Sequence, residues 1–586
     1  MPTPPSVLAH LDERIRIITR PDGSLLGLNC GPDSSGNGWQ VDGRQSFDGG
    51  ITWTPASPLV ALDAKAGGWG GCQPVATTDG EIHVLLMCDA HTGVFALPDT
   101  PRQPKPLMER HLDVWHTRTD GGGSRWREPV RIWEGYTGSI NSAIQMRNGR
   151  LVLPFAQLTT RTWRERGDGL DAFWFAGANE TIVLTSDDGE HWQEREVRLK
   201  VQTPSIGVYG AVEPVIIERS DGVLWMLIRT QLGRFYESFS SDGASWTTPR
   251  PSPLLSSDSP AGLVRLSDGR LVLLWNKCLR FPYAHGGRHV LHAAISDDDG
   301  RTWTGHREVA RDPKNYDPPP SHGDHGTAYP FPVVLPDDRI LITTGQGEGR
   351  IVLVALDPAW LSEQTQTSTF SLPAPTQKPQ TAEIRSVPID GRRLPVEGSA
   401  FGCAGVDIVP IAPDGPPETH DAEERDAALQ IRRTQEHWPA CAVWNHPLGR
   451  RGGYRIRLRL ASDSEGCQLL LTDHFSVPFD PEDEFQAIFV LNVVPATGAL
   501  FPVEGNESIS QPSAGAQLAV ETGQWHDIDV RWDCATHQLS ATLGGQSVTS
   551  PQRHIRDGIC YLRLKPVSDA MDGGFAVARV NLAVES

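Results

Sequence analysis

The sequence lacks paired cysteines, long apolar runs and an excess of basic residues, and each absence argues against a class of fold or of binding partner. Its 9 cysteines among 586 residues form no Cys-x-x-Cys pair, which argues against a zinc site or a disulfide scaffold. No run of about 18 apolar residues occurs, so the sequence predicts no membrane-spanning helix. The 53 Lys and Arg are outnumbered by 72 Asp and Glu, and the net charge of −19 argues against a nucleic acid or an anionic membrane as partner.

Long helical periodicities are also scarce, whereas glycine (58), proline (47) and tryptophan (18) are abundant. This balance is typical of an all-β protein with many turns. A chain of 586 residues is long enough for two or more domains, each with its own core. The first ten residues contain no basic segment leading into an apolar run. We therefore expect a soluble protein, cytoplasmic as written, or secreted or periplasmic if a leader has been removed.

A unit of apolar strand, tight turn and second apolar strand recurs six times along the first 340 residues or so. Asp-Gly and Asn-Gly accept the positive φ angles of a two-residue hairpin, so each turn marks one hairpin. The six turns are Asp22-Gly23, Asp79-Gly80, Asn148-Gly149, Asp221-Gly222, Asp268-Gly269 and the variant Asp337-Asp338.

A second motif, Ser/Thr-x-Asp-x-Gly-x-x-Trp, falls between these turns. Its Ser and Asp are expected to satisfy turn amides and its Trp to fill the space between neighbouring sheets, so we interpret the motif as structural and not catalytic. Six hairpins, each followed by a second hairpin, predict a propeller of six four-stranded blades. The complete copies are Ser46 to Trp53, Thr185 to Trp192 and Ser296 to Trp303, and looser copies run from Asp120 to Trp126 and from Ser240 to Trp246.

The composition changes after the last hairpin. Residues 359–385 are rich in Ser, Thr, Gln and Pro, which predicts a linker between a propeller over residues 1–358 and a second domain over residues 386–586. In that second domain, Tyr454 to Leu460 and Ile528 to Trp532 alternate apolar and polar residues, as strands with one face in water do. The sequence therefore predicts an all-β protein, a six-bladed β-propeller followed by a β-sandwich.

The propeller register brings polar residues from separate blades to one face. Arg14, Glu213 and Tyr329 each lie eight residues before a hairpin turn, at the start of the strand that lines the channel. Arg229 follows the Asp221-Gly222 turn at a distance that places it beside Glu213. Arg288 begins the third strand of its blade on the same face, eight residues before Ser296.

These residues resemble the active site of the sialidase (neuraminidase) superfamily, whose propellers carry the Asp box, or BNR repeat, as their Ser/Thr-x-Asp-x-Gly-x-x-Trp motif. The resemblance implies that Tyr329 is a nucleophile paired with Glu213. It also implies that Arg14, Arg229 and Arg288 bind the carboxylate of a sugar acid. Arginine suits this duty because its guanidinium group binds a carboxylate through two parallel N–H bonds.

Other assignments have competitors. Asp33, in the loop expected after the second strand of blade one, is the candidate acid/base, with Asp42 as the alternative. Arg16 competes with Arg14, because the family usually shows Arg-Ile-Pro where this chain has Arg14-Ile15-Arg16. Asn276 and His325 are further candidates for substrate contact. His325 lies with His322 in a Gly-rich loop that is a weak metal signature, and we predict neither a metal nor another cofactor.

The resemblance implies an exo-acting glycoside hydrolase that cleaves a terminal α-linked sialic acid, or a related nonulosonate, with retention of configuration. The partner would be a glycan or an oligosaccharide, while the oligomeric state stays open. Two alternatives remain: a hydrolase or lyase on another acidic glycan, and a non-catalytic carbohydrate-binding protein. The run from Gly523 to Trp532 resembles the laminin-G and concanavalin-A-like jelly roll, which implies either a glycan-binding or a supporting role for the second domain.

Overall fold

A computed structural model describes most of the chain, and among the residues described every regular element is a strand except one turn of 3-10 helix, Pro358–Ser362. In the part of the chain described, no helix is long and apolar enough to cross a membrane. The described residues are 2–36, 38–62, 68–89, 93–95, 107–109, 111–120, 125–158, 161–163, 179–204, 209–278, 287–314, 325–362, 365–371, 406–410, 426–434, 440–475, 486–496, 516–568 and 570–585.

Six four-stranded antiparallel sheets follow one another along the chain. In five of them, neighbouring strands are hydrogen-bonded in the order in which they occur in the sequence. The first strand of the chain is β1, Ser6–Leu11. Blade one is β2 Arg16–Thr19, β3 Leu25–Pro32, β4 Trp39–Ser46 and β5 Ser57–Leu62; blade two is β6 Trp69–Ala76, β7 Ile82–Asp89, β10 Leu112–Arg118 and β11 Val130–Trp133; blade three is β12 Ile144–Gln145, β13 Leu151–Gln157, β15 Glu180–Ser186 and β16 Gln193–Glu194. The other strands in this part of the chain are β8 Gly93–Phe95, β9 Leu107–Glu109 and β14 Arg161–Trp163.

Blades four to six complete the ring, while β8, β9 and β14 form a separate three-stranded sheet. The first strands of neighbouring blades contact one another and form the inner ring. Blade four is β17 Val212–Glu218, β18 Leu224–Arg229, β19 Arg234–Ser240 and β20 Arg250–Leu255; blade five is β21 Gly262–Arg265, β22 Leu271–Trp275, β23 Val290–Ser296 and β24 Thr304–Arg311; blade six is β25 Phe331–Val334, β26 Ile340–Thr344 and β27 Ile351–Leu356 with β1.

The sixth blade closes the propeller with a strand from the other end of the module. β1 pairs antiparallel with β27, with Ser6 opposite Ala355 and Leu11 opposite Ile351. This pairing covers the last exposed edge of the ring, which would otherwise offer unpaired backbone groups. The fold predicted from the sequence, a six-bladed propeller followed by a sandwich, is confirmed.

The six predicted turns each connect the first two strands of a blade. Gly23 has a φ of 83° and Asp338 in the variant turn a φ of 64°, and the other four turn glycines are equally left-handed. A positive φ is unfavourable for a residue with a side chain such as Asp338. Its carboxylate accepts a hydrogen bond from the amide of Ser267 at 2.9 Å.

The polar residues of the box motif form hydrogen bonds within their own turn. In the first copy, the Asp48 carboxylate accepts hydrogen bonds from the Thr52 amide and the Ser46 hydroxyl, both at 2.9 Å. The hydrogen bonds from Thr52 lower the pKa of Asp48 to about 2. Trp53 Nε1 donates to the carbonyl of Gly50 at 3.0 Å. These contacts use the polar atoms locally, which agrees with a structural role.

A buried histidine pair in blade two makes the fold sensitive to acid. His83 Nδ1 and His116 Nε2 are 2.9 Å apart, and both side chains are buried. Burial lowers the pKa of His83 to about 4 and that of His116 to about 3. In the unfolded chain both would bind protons near pH 6.5, so the unfolded state gains protons first as the pH falls.

We therefore expect the melting temperature to fall as the pH is lowered from about 6.5 to about 4, and to be insensitive to these groups above about pH 7. Differential scanning calorimetry across this range measures the effect. A melting temperature that stays level, or rises, between those limits would contradict it. Burial also lowers the pKa of His292, His306 and His446, so these three histidines contribute to the slope in the same direction.

The C-terminal domain consists of two sheets packed face to face. One sheet has the order β29-β30-β28-β40-β32-β36-β37-β38, and the other has the order β31-β39-β33-β34-β35, in which only β34 and β35 pair in parallel. The strands are β28 Thr365–Ser371, β29 Val406–Pro410, β30 Asp426–Ile431, β31 Ala442–Gly449, β32 Arg451–Leu460, β33 Cys467–Thr472, β34 Phe489–Pro495, β35 Ala516–Val520, β36 His526–Asp533, β37 Gln538–Leu543, β38 Gln546–Pro551, β39 Ile559–Pro566 and β40 Phe575–Glu585.

The alternation predicted for β32 is present in the structure. Tyr454, Ile456 and Leu458 are buried in the core between the sheets, and the intervening Arg455 and Arg457 pair with aspartates of β36 on the outer face. This pattern is that of a sheet with one dry face and one wet face. The finer assignment to a laminin-G or concanavalin-A-like jelly roll stays a prediction.

The predicted linker over residues 359–385 is wrong at its start. Residues 365–371 form β28, which pairs antiparallel with β40, and the preceding 3-10 turn buries Trp360 and Leu361 against blade five. Threonine in a Ser- and Pro-rich segment is compatible with a linker, but it is β-branched and favours strands when a partner edge is available. The rest of the predicted linker, from residue 372 onward, lies outside the described residues.

The sandwich packs against blade five through buried polar contacts. Lys277 Nζ donates to Asp473 at 2.8 Å, and the backbone amide of Phe475 donates to the carbonyl of Lys277 at 3.0 Å. Tyr561 donates its hydroxyl proton to Glu308 at 2.6 Å. Because these groups are removed from water on both sides, the two domains form a fixed unit at this contact.

Candidate active site

The candidate site lies where the innermost strands begin. Arg14 precedes β2 by two residues, Tyr329 precedes β25 by two residues, and Glu213 is the second residue of β17. All three strands run in the same sense around the ring, so their starts open onto one face of the propeller. The structure therefore brings side chains from blades one, four and six to a single place.

Tyr329 and Glu213 form a buried pair at this face. The Tyr329 hydroxyl donates to Glu213 Oε1 at 2.6 Å, and both residues are less than a tenth exposed. Burial and the neighbouring Glu213 carboxylate raise the pKa of Tyr329 well above its ordinary value. The phenol is therefore neutral across the physiological range, and its proton is shared in a hydrogen bond with the Glu213 carboxylate.

Both members of the pair are held in a strained backbone conformation. Glu213 has a φ of 45° and Tyr329 a φ of 58°, and only three other non-glycine residues in the described ranges have a positive φ. Each such residue costs on the order of 1–3 kcal/mol and persists where the surroundings fix it, frequently at functional sites. A bulge between Val212 and Val215 turns Glu213 toward the channel.

Arg229 lies at the end of β18 and is fully engaged by its neighbours. Its NH1 atom donates to Tyr329 Oη at 2.9 Å and also to Glu213, and its Nε donates to Asp258 at 2.6 Å. Although burial lowers the pKa of Arg229, the carboxylates of Asp258 and Glu213 raise it well above its ordinary value. The guanidinium group is a permanent cation beside the phenol.

Two further arginines lie near the Tyr329 ring. The Cζ atom of Arg14 is 5.1 Å and that of Arg288 is 5.6 Å from the ring centroid. Arg288 donates to the carbonyl of Asp258 at 2.9 Å and to the side chain of Gln346. Arg16, the alternative to Arg14, is buried with its guanidinium over Phe331, whereas Arg14 is partly exposed.

The two acid/base candidates lie on blade one. Asp33 follows β3 in the β3–β4 loop, which is on the same face as the start of β2. Its carboxylate accepts hydrogen bonds from the amide and hydroxyl of Ser35, at 3.0 and 2.7 Å. Asp42 lies within β4, opposite Asn29, and accepts from Gln40 Nε2 at 2.9 Å. Asp33 is thus at the rim of the site and Asp42 is on the blade itself.

The remaining candidates have different surroundings. Asn276 is fully buried, and its amide donates to the carbonyls of Val290 and Thr327 at 2.7 and 2.6 Å. It therefore supports the segment leading to Tyr329 from behind. His325 is partly exposed and precedes Gly326, whose amide donates to the carbonyl of Gln346 at 3.2 Å. His322 lies outside the described residues.

Three residues contact the site without a signal in the hairpin register: Asp258, Tyr209 and Gln346. Tyr209 accepts a hydrogen bond from Arg229 NH2 at 2.6 Å and donates its own proton to Asp258. A register count from the hairpin turns finds inner strands only, and Tyr209 lies in the loop before one, where no periodic signal exists.

One family comparison bears on this module. Residues 103–342 match the family described as "BNR repeat-like domain". No curated protein matched the sequence. The predicted BNR repeats are confirmed over the residues that this family match covers, and the C-terminal sandwich lies outside it.

Several solved structures are similar to the chain at low identity. A Hadza microbial sialidase, Hz136, is 18% identical over 58% of this chain and 65% of its own, with a TM-score of 0.39. This chain thus spans just under two thirds of that structure. A Trypanosoma rangeli sialidase with 2,3-difluorosialic acid, described as a covalent intermediate, is 14% identical over 97% of this chain and 91% of its own, with a TM-score of 0.38. A protein of unknown function from Dyadobacter fermentans is 18% identical over 61% of this chain and 97% of its own, with a TM-score of 0.40.

Proposed function

We propose that this protein is an exo-acting glycoside hydrolase of sialidase type that removes a terminal α-linked sialic acid, or a related nonulosonate, with retention of configuration. The observation that carries the proposal is the 2.6 Å hydrogen bond from Tyr329 to Glu213 inside a ring of arginines. A phenol paired with a carboxylate has little structural purpose at a strained position. It has a clear purpose as an activated nucleophile.

A neutral tyrosine suits this substrate class for electrostatic reasons. The anomeric carbon of a sialic acid carries a carboxylate, which would repel an aspartate or glutamate nucleophile, whereas the arginines around Tyr329 attract it. Sialidases with a tyrosine nucleophile are a known exception to the two-carboxylate scheme of glycoside hydrolysis. The charge pattern at the site therefore favours a sugar acid over a neutral sugar.

In the proposed first step one proton leaves the attacking phenol and another is given to the leaving oxygen. The Tyr329 O–H proton passes to Glu213 Oε1 as the phenol oxygen forms a bond to the anomeric carbon. The glycosidic C–O bond breaks, and the acid/base residue, Asp33, gives its proton to the leaving oxygen. In the second step the same residue takes a proton from water, the water oxygen replaces the tyrosine oxygen, and Glu213 returns its proton to Tyr329.

Hydrolysis of a chromogenic α-sialoside tests the proposal, with the anomer of the released sugar followed by proton NMR. We expect release of the α-anomer first. A chromogenic β-glucuronide, assayed in parallel, tests the alternative of another acidic glycan. Activity on the glucuronide alone, or first release of the β-anomer, would contradict the proposal, as would binding of either sugar without turnover.

The assignment of Asp33 over Asp42 has its own test. Asp33→Asn is expected to lower kcat/KM, which reports the first step, by about 10²–10⁴-fold for a sialoside with a poor leaving group but far less for an activated aryl sialoside, because only the poor leaving group needs the proton. Asp42→Asn is the matched control. The reverse pattern, with the leaving-group dependence appearing in Asp42→Asn, would assign the role to Asp42.

A further inference from the structure

One short segment of blade five contacts both the candidate site and the sandwich. Residues 276–278 follow β22, whose end pairs with the start of β21 and therefore lies on the face that carries the site. Asn276, Lys277 and Cys278 are each less than a tenth exposed. Because the three residues are consecutive, a contact that holds one of them also restrains the backbone of the others.

Asn276 holds the backbone just before Tyr329. Its Nδ2 atom donates to the carbonyl of Thr327 at 2.6 Å, and Tyr329 follows two residues later with its φ of 58°. The amide of Thr327 donates in turn to the carbonyl of Arg288 at 2.7 Å. A strained φ persists only where the surroundings fix it, so the position of Asn276 bears on the position of the phenol.

Asn276 also holds the loop that carries Asp258. Its Oδ1 atom accepts a hydrogen bond from the Ser259 hydroxyl at 2.6 Å, and its backbone carbonyl accepts one from the Ser257 amide at 2.8 Å. These two serines are the chain neighbours of Asp258, whose carboxylate orients Arg229. Asn276 therefore links two separate parts of the site.

The sandwich holds the adjacent Lys277 through the loop that follows β33. Nζ of Lys277 donates to Asp473 at 2.8 Å, and the amide of Phe475 donates to the Lys277 carbonyl at 3.0 Å. Lys277 and Asp473 are both buried, so salt screens their attraction little. The position of the 276–278 segment thus depends on the second domain.

A second chain of hydrogen bonds joins Lys277 to the sandwich. Its amide lies 3.3 Å from His292 Nδ1, and because a backbone N–H can only donate, Nδ1 is the acceptor. The neutral ring then carries its proton on Nε2 and donates to the Tyr561 hydroxyl at 2.6 Å, which donates to Glu308 at 2.6 Å. Burial lowers the pKa of His292 and so keeps the ring neutral.

We propose that the sandwich is part of the candidate site, because it holds the 276–278 segment through Lys277 while Asn276 of that segment positions Tyr329 and Asp258. Lys277, Asp473 and Tyr561 are positioning residues that act through Asn276. A misplacement of about 1 Å can lower the rate of a reaction by about 10²-fold. The effect on turnover rests on the proposed function, whereas the support of the segment rests on the hydrogen bonds alone.

Hydrogen–deuterium exchange on the full-length protein tests this support without any substrate. Tyr561→Phe removes the hydroxyl that joins His292 to Glu308, and we expect peptides over residues 255–260 and 325–330 to exchange at least about fivefold faster than in wild type. Peptides over β2 and β3 of blade one should exchange at the wild-type rate in the same sample.

Tyr454→Phe is the matched control. Both tyrosines are buried in the sandwich, and each hydroxyl lies 2.6 Å from a histidine Nε2 atom, that of His292 for Tyr561 and that of His446 for Tyr454. Tyr561 lies at the domain contact, whereas Tyr454 lies in the core between the two sheets. The loss of a buried hydroxyl as such would affect both variants alike, whereas the loss of support for the segment affects Tyr561→Phe alone.

Kinetics test whether this support matters for turnover. We expect Tyr561→Phe to lower kcat for an α-sialoside by at least about tenfold and Tyr454→Phe to change it by less than about twofold. The reason for the difference is that only Tyr561→Phe loosens the segments that carry Tyr329 and Asp258.

If Tyr561→Phe does not fold, Lys277→Met takes its place in both measurements. The double variant Lys277→Met/Asp473→Leu removes both buried charges and is expected to bring kcat and the exchange rates back toward wild type together with stability. Regained stability without regained kcat would contradict a positioning role.

The outcomes separate this inference from the proposed function. If wild type hydrolyses the sialoside and Tyr561→Phe exchanges faster but keeps its kcat, the positioning role is wrong and the function stands. If wild type hydrolyses no sialoside and Tyr561→Phe exchanges faster at residues 325–330, the function is wrong and the support by the sandwich stands. Unchanged exchange in Tyr561→Phe overturns the inference whatever the activity.

Discussion

Tyr329→Phe is expected to lower kcat/KM for an α-sialoside by at least about 10³-fold while leaving the fold intact. The phenylalanine ring fills the same space between Arg14 and Arg288. Only the oxygen is lost, and with it the bond that would form to the anomeric carbon. Steady-state kinetics on the purified variant, with circular dichroism to check its folding, measure the effect.

Tyr454→Phe is the matched control for this result. Tyr454 is also buried, and its hydroxyl is 2.6 Å from His446 Nε2 in the core of the sandwich. Removing it costs about 1 kcal/mol of stability through the lost hydrogen bond and leaves activity unchanged. If Tyr329→Phe keeps more than a tenth of wild-type activity, the tyrosine is a wall of the pocket and not the nucleophile.

Lys277→Met is expected to destabilise the protein by about 3–5 kcal/mol, because it leaves Asp473 buried at the domain contact without its nearest cation. Burial raises the pKa of Asp473, but Lys277 and His474 more than reverse this and hold it well below its ordinary value. Arg556, whose Nε lies 3.7 Å from Asp473, compensates in part and moves the expected loss toward the lower end. Denaturant unfolding monitored by tryptophan fluorescence gives the free energy.

Two comparisons make this result specific. The double variant Lys277→Met/Asp473→Leu removes both charges and should recover most of the lost stability. Arg455→Met breaks an exposed pair with Asp529, 3.0 Å apart on the outer face of the sandwich, and should cost less than about 1 kcal/mol. If Lys277→Met behaves like Arg455→Met, the domain contact does not hold the two domains together.

Much of the propeller could be predicted because its signals are local. Each hairpin turn is specified by two adjacent residues. Turns such as Asp22-Gly23 and Asp268-Gly269 need no distant partner to adopt their conformation. The closing pair β1–β27 joins residues about 345 positions apart, and nothing in Ser6–Leu11 specifies that partner. β28 was missed for a similar reason, since it becomes a strand only beside β40.

The residues of the candidate site likewise divide into those that the sequence predicts and those that it does not. Arg14, Glu213 and Tyr329 occupy equivalent positions in different blades, so the repeat itself predicts that they meet. The anchors Asp258, Tyr209 and Gln346 lie in loops outside the repeat, and their contacts depend on three-dimensional packing. Two of these anchors, Asp258 and Tyr209, hydrogen-bond the Nε and NH2 atoms of Arg229 and so fix the orientation of its guanidinium group.

The most direct test of the account is to identify the residue that becomes covalently attached to the sugar. The protein is incubated with a sialosyl fluoride that carries a second fluorine at C3, which slows hydrolysis of the intermediate, and is then digested and examined by peptide mass spectrometry. The account predicts a sugar adduct on Tyr329 that is absent from Tyr329→Phe. An adduct on an aspartate or glutamate, or turnover of a sialoside by Tyr329→Phe at the wild-type rate, would contradict it.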